Sequence, residues 1–63
     1  VQDSWYIANT YYHIGLTHLN MKRHNEAIKY LEIAIQSTNT QDPKLITYQQ
    51  ELSRLKALRG GGA

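Results

Sequence analysis

The chain has 63 residues, of which 41% are hydrophobic and 19% are charged, and its formal net charge is +2. This composition is typical of a small globular domain and not of a disordered segment. Cysteine is absent, which excludes disulfides and thiolate-metal sites, and no apolar run is long enough to span a membrane. Because one small core barely offsets the cost of ordering such a chain, we expect burial against another protein or a second copy.

Neither end of the sequence looks like a natural terminus. The chain begins at Val1 without a methionine and ends in the glycine-rich residues 60–63. We therefore expect a piece excised or redesigned from a larger protein. No signal peptide is recognisable, and with the lack of cysteine this predicts a cytoplasmic location.

The first predicted helix spans residues 4–20, and either Asp3 or Ser4 would cap it. Small and large residues recur at helical spacing in two neighbouring stripes. One contains Trp5, Ala8, Tyr12 (or Tyr11) and Gly15, and the other contains Tyr11, Ile14 and His18. Two stripes indicate a helix that packs on two sides.

The second predicted helix spans residues 25–37 and follows a short polar turn. Asn25 is an N-cap residue type, and Glu26 in the first turn complements the helix dipole. One apolar stripe follows, made of Ala27, Ile28, Leu31, Ala34 and Ile35.

The third predicted helix spans residues 43–59, with Asp42 as its cap and Pro43 at its first position, where the missing N–H costs nothing. Its single apolar stripe consists of Leu45, Tyr48, Leu52, Leu55 and Leu58. A helix that is apolar on one side only belongs at an end of a stack. We expect one domain over residues 1–59, with residues 60–63 as a flexible glycine tail.

The central stretch carries a specific combination of small and large residues: Tyr11, the pair Ile14-Gly15, the motif Asn25-Glu26-Ala27-Ile28, and then Leu31 and Ala34. In this it resembles a tetratricopeptide repeat, a helix–turn–helix unit of about 34 residues. The small residues of this pattern, Gly15, Ala27 and Ala34, would let the helices pack closely, with the large residues filling the spaces between them. The resemblance implies an all-α fold of one helical hairpin, to which the third helix adds a cap. His18 stands where the family has a large apolar residue, and Asn39 stands where it has a closing proline. The resulting longer loop gives a weaker resemblance to the repeats of bacterial peptide-pheromone receptors.

The family binds peptides on the concave face lined by the first helix of each repeat. By resemblance, the residues facing this groove would be Asn9, Tyr12, His13, Leu16 and Asn20. The alternative is that these side chains are ordinary surface or are buried by a subunit contact.

One repeat and a cap are fewer than the about three repeats that such stacks need for stability. We therefore predict self-association, by exchange of the third helix through the loop 37–42. The residues expected to mediate it are Leu45, Tyr48, Leu52 and Leu55. The predicted function is a non-catalytic protein–protein interaction or assembly module. The alternatives are part of a peptide groove in a peptide-sensing regulator, and an excised or designed scaffold that only oligomerises.

Other functional classes find little support. His13 and His18 are five residues apart instead of the four that suit a metal pair on a helix, so no metal or other cofactor is expected. No nucleophile has an ordered base or a strained turn, which argues against an enzyme. The basic residues are few and interleaved with acids, so neither nucleic acid nor a membrane is an expected partner.

Overall fold

The computed structural model of the chain describes residues 4–61. It contains three helices: α1 at Ser4–Asn20, α2 at His24–Gln36 and α3 at Lys44–Gly61. Residues 4–61 contain no strand, and the predicted all-α fold of a hairpin and a third helix is confirmed. Each helix end lies within two residues of its predicted position. The predicted caps of α1, Asp3 and the side chain of Ser4, lie outside the described part of the chain.

The core lies along α2, which packs against α1 on one side and α3 on the other. Its buried members are Ala8 from α1; Ala27, Ile28, Leu31 and Ala34 from α2; and Tyr48 and Leu55 from α3. Burying a large apolar side chain contributes about 1.5–3 kcal/mol. Because α2 supplies most of these side chains, it is the central element of the fold.

The crossing of α1 and α2 depends on Gly15. A Cβ at this position would lie 3.2 Å from the carbonyl oxygen of Ala27 and 3.6 Å from the backbone nitrogen of Leu31. The two backbones therefore approach so closely that a methyl group here would require α2 to shift by a few tenths of an ångström. The small residues of the predicted stripes, Gly15 and Ala27, meet at this point as expected.

The turn between α1 and α2 is a Schellman motif. The backbone N–H of Arg23 donates to the carbonyl of His18 at 2.9 Å, and that of Lys22 donates to Leu19 at 2.9 Å. This pair of bonds requires a left-handed residue between them, and Lys22 has φ 62°. Glycine is the usual residue here, because the left-handed conformation costs an L-residue roughly 1–2 kcal/mol.

The prediction that Asn25 caps α2 is wrong. The tight turn places the chain in helical geometry already at His24, so the N-cap position falls on Arg23, whose side chain makes no capping bond. The first helical bond runs from the N–H of Ala27 to the carbonyl of Arg23 at 2.9 Å. The side chain of Asn25 instead accepts a hydrogen bond from Nη1 of Arg59 at 3.3 Å.

The connection from α2 to α3 is closed by polar side chains. The hydroxyl of Thr38, which is buried, donates to the carbonyl of Ala34 at 2.7 Å. Oδ1 of Asn39 accepts the N–H of Gln41 at 2.9 Å, an Asx turn. Asn39 therefore turns the chain at the position where a proline was expected from the family pattern.

The predicted cap of α3 is observed, because Oδ1 of Asp42 accepts the N–H of Lys44 at 2.9 Å. The other end differs from the prediction that the glycines terminate the helix. Gly60 and Gly61 continue it, and no glycine in the described residues has a positive φ. Glycine lowers helix stability by about 1 kcal/mol per residue, which weakens a terminal turn without forbidding it. Gly62 and Ala63, the rest of the predicted tail, lie outside the described residues.

Candidate interaction surfaces

The first candidate surface is the α1 row, the five residues predicted to face a partner: Asn9, Tyr12, His13, Leu16 and Asn20. Their spacing places them along one side of α1. His13 and Asn20 are exposed, whereas Asn9, Tyr12 and Leu16 are half-buried. The row is therefore a mixed surface, with polar groups at its accessible positions.

Tyr12 links the α1 row to α3. Its ring centroid lies 4.5 Å from that of Tyr48, with the ring planes tilted by 31°. Burial raises the pKa of the Tyr48 phenol above its usual value of 10.0, and the neighbouring Tyr12 and Asp42 raise this pKa further. The contact leaves only part of Tyr12 available to a partner.

The second candidate surface, the predicted self-association stripe of α3, lies against α2 of the same chain. Tyr48 and Leu55 are 4% and 2% exposed, and Leu45 and Leu52 are half-buried. In this arrangement a partner cannot reach Tyr48 or Leu55. An exchanged α3 would form the same contacts between two chains, so this placement is compatible with exchange.

A third surface, which we call the outer groove, was only partly anticipated from the sequence. It is an open depression of about 430 Å³ along α1, lined by Tyr6, Ile7, Thr10, Tyr11 and Ile14. Tyr6 is 61% exposed and Ile7 is 49% exposed. The second stripe, which contains Tyr11 and Ile14, was the signal for this surface. Tyr6 and Ile7 extend it by one turn towards the N-terminus.

The third member of that stripe, His18, packs against α2. Its ring lies parallel to Tyr30 with centroids 5.3 Å apart, and Tyr11 stacks on Tyr30 at 6.0 Å. Nδ1 of His18 is buried and has no hydrogen-bond partner among the described atoms. His18 therefore packs between the two helices through its ring. Nζ of Lys29 lies 5.8 Å from the centroid of the Tyr30 ring.

Two exposed ion pairs involve α3. Nζ of Lys56 lies 3.5 Å from Oε2 of Glu32 on α2, and Arg54 pairs with Glu51 at 3.9 Å within the helix. Such exposed pairs contribute about 0–1 kcal/mol each. Across the part of the chain that the structure describes, no three histidine or acidic side chains come together in a way that could hold a metal ion.

Comparisons with known proteins gave one match. The sequence model of the tetratricopeptide repeat matches residues 8–40, which is 33 of the 63 residues. Searches of curated proteins and of solved structures returned no significant match. None of the helices over residues 4–61 is long and apolar enough to cross a membrane.

Proposed function

Because the chain belongs to the tetratricopeptide-repeat family, we propose that it is a non-catalytic protein-interaction module that associates with a second copy of itself. The family fold is generally used to bind proteins. Self-association and the identity of the contact residues are our own extension of that role. The α1 row, with Asn9, His13 and Asn20 as its polar members, is the surface we assign to a protein or peptide partner.

The observation that carries the proposed interaction role is the outer groove. It leaves apolar side chains of α1 uncovered, with Tyr6 and Ile7 about half exposed or more. Among the described side chains, those that line it all come from α1, so within this part of the chain the groove has no second wall. A repeat of this kind buries its faces by stacking on neighbours, which makes a lone repeat incomplete.

For the mode of self-association we propose exchange of α3 between two chains. The helix contributes Tyr48 and Leu55 to the core, Tyr48 also contacts Tyr12 of α1, and residues 37–43 connect it to α2. Exchange would form these same contacts and the Lys56–Glu32 pair between two chains, so it requires no interaction that the single chain does not already make. The turn bonds of Thr38 and Asn39 oppose exchange, since straightening the connection breaks them.

Exchange can be tested with introduced cysteines, because the chain contains no cysteine of its own. Two single variants, Glu32→Cys and Lys56→Cys, are mixed, refolded together and treated with a short bismaleimide. These side chains meet at 3.5 Å in the folded unit, so exchange brings one cysteine from each chain together. A covalent heterodimer is expected.

The matched control replaces Glu32→Cys with Thr17→Cys, an exposed position on α1 away from the Tyr12 side that contacts α3. Equal cross-linking in both mixtures would show random collision and refute exchange. Light scattering on the unmodified chain provides the second readout. A stable folded monomer at micromolar concentration would refute self-association altogether.

The alternative proposal is that the α1 row forms part of the groove of a peptide-sensing regulator. Calorimetry with a library of short uncharged peptides separates the two proposals. Peptide binding that is lost in Asn9→Ala, with an unchanged molecular mass, would favour the sensing role. The absence of peptide binding together with tight self-association would favour assembly alone.

A further inference from the structure

We propose that the end of the molecule formed by the α1–α2 turn and the C-terminal part of α3 is an interaction surface for an acidic segment of a partner protein. We call this surface the cationic end and define it by Lys22, Arg23 and Arg59. None of its three residues belongs to the α1 row or lines the outer groove. The inference rests on the proposed function as a protein-interaction module.

The first observation is where the charge lies. Arg59 reaches across to Asn25, two residues beyond Arg23, so the third cation joins the other two at the same end. When Glu26, which follows Asn25, is counted with the three cations, the cationic end has a formal charge of +2, which equals the net charge of the entire chain. The remaining charged residues cancel, four against four: Lys29, Lys44, Arg54 and Lys56 against Asp3, Glu32, Asp42 and Glu51.

The second observation is that these cations are not neutralised. Lys22, Arg23 and Arg59 are all exposed, and within residues 4–61 none of them forms an ion pair. By contrast, Arg54 and Lys56 of the same helix α3 each have an acidic partner. A local excess of unpaired charge on one surface attracts segments of the opposite sign.

The third observation is that two of these cations occupy positions where the backbone favours another residue. Lys22 is held at φ 62°, in the position that glycine takes in a Schellman motif. Arg23 occupies the N-cap position of α2, where serine, threonine, aspartate or asparagine is preferred, and its side chain makes no capping bond. Side chains that lower local stability in this way are characteristic of functional sites.

An acidic peptide fits this surface better than nucleic acid does. The cations are three and lie at one end of the helices, whereas nucleic-acid surfaces extend as stripes along a groove or strand. Recognition of a short run of carboxylates needs only a few cations at fixed positions, and the turn hydrogen bonds of Lys22 and Arg23 fix the backbone of two of them.

The test measures binding of a fluorescein-labelled octaglutamate peptide to the full chain by fluorescence anisotropy, at low and at physiological salt. Binding is expected at low salt and should weaken as salt rises. The variant Lys22→Gly/Arg23→Ser should bind about threefold to tenfold more weakly, because it loses two exposed charge contacts. Its thermal unfolding midpoint should nevertheless be equal or higher, because both substitutions suit the backbone.

The control Lys29→Gln/Arg54→Gln removes the same number of cations elsewhere and should retain the affinity. Equal weakening by the control, no binding by the native chain, or a lower unfolding midpoint in Lys22→Gly/Arg23→Ser would each overturn the proposal. Tighter binding of a single-stranded oligonucleotide of equal charge would overturn the choice of partner. Failure here leaves the cross-linking result on self-association untouched, so the two proposals fail separately.

Discussion

Replacing Gly15 with alanine tests how closely α1 and α2 approach. In an open helix, Gly→Ala stabilises by about 1 kcal/mol through helix propensity. At Gly15, however, the new methyl group would lie 3.2 Å from the carbonyl oxygen of Ala27. That oxygen belongs to the backbone of α2, so relief requires the whole helix to shift by a few tenths of an ångström. Such overpacking costs about 1–3 kcal/mol.

The net expectation for Gly15→Ala is therefore a destabilisation of about 1 kcal/mol. In a domain of this size it corresponds to a decrease in the melting temperature of about 4–8 °C. Urea and thermal unfolding followed by circular dichroism at 222 nm measure it, at one fixed protein concentration because self-association would add to the apparent stability.

The chain offers a matched control in Gly60→Ala. A Cβ at Gly60 meets nothing within 4 Å, and the residue lies inside α3. The same chemical change should therefore stabilise, by about 0.5 kcal/mol so near a helix end. If Gly15→Ala stabilises the chain as Gly60→Ala does, the close crossing of α1 and α2 is not present and the reasoning fails.

Three further predictions concern single side chains. His18→Phe should stabilise by about 1 kcal/mol, since it removes a buried unpaired nitrogen while keeping the stack on Tyr30; a loss of stability in urea would show that Nδ1 has a partner. Because the pKa of Tyr48 is raised, its contribution to the free energy of unfolding is complete below pH 10.0 and is lost as pH rises above that value, where the unfolded chain ionises first. The variant Tyr48→Phe should therefore show a smaller decline in melting temperature at alkaline pH. A decline identical to that of the unmodified chain would contradict this. Asp42→Ala should cost about 1 kcal/mol through the lost cap, while Asp42→Asn should retain most of it, so equal losses in the two variants would exclude capping as the cause.

Much of the fold could be predicted from local patterns. The small residues Gly15 and Ala27 indicated where two helices cross, and Asp42-Pro43 indicated where the third begins. These signals act through sequence-local chemistry: helix propensity, capping and steric size. They do not depend on which element packs against which.

The start of α2 and the role of the α3 stripe depend on longer-range geometry. Asn25 is of a residue type that caps helices. The Schellman turn, however, places the N-cap position of α2 at Arg23, two residues before Asn25. Tyr48 and Leu55 form an apolar stripe whether they face their own chain or another. Periodicity shows that a face is buried, and only the packed structure shows what covers it.

The left-handed turn at Lys22 also affects how the chain meets proteases. Lys22 and Arg23 are exposed, adjacent and of the types after which trypsin cleaves. A protease must draw the peptide into an extended form, whereas the two turn hydrogen bonds and the φ of 62° hold it folded. Cleavage at this position therefore requires the turn to open first. The rate of tryptic cleavage after Lys22 or Arg23 therefore reports how often the turn opens, and with it how stably α1 and α2 are held together.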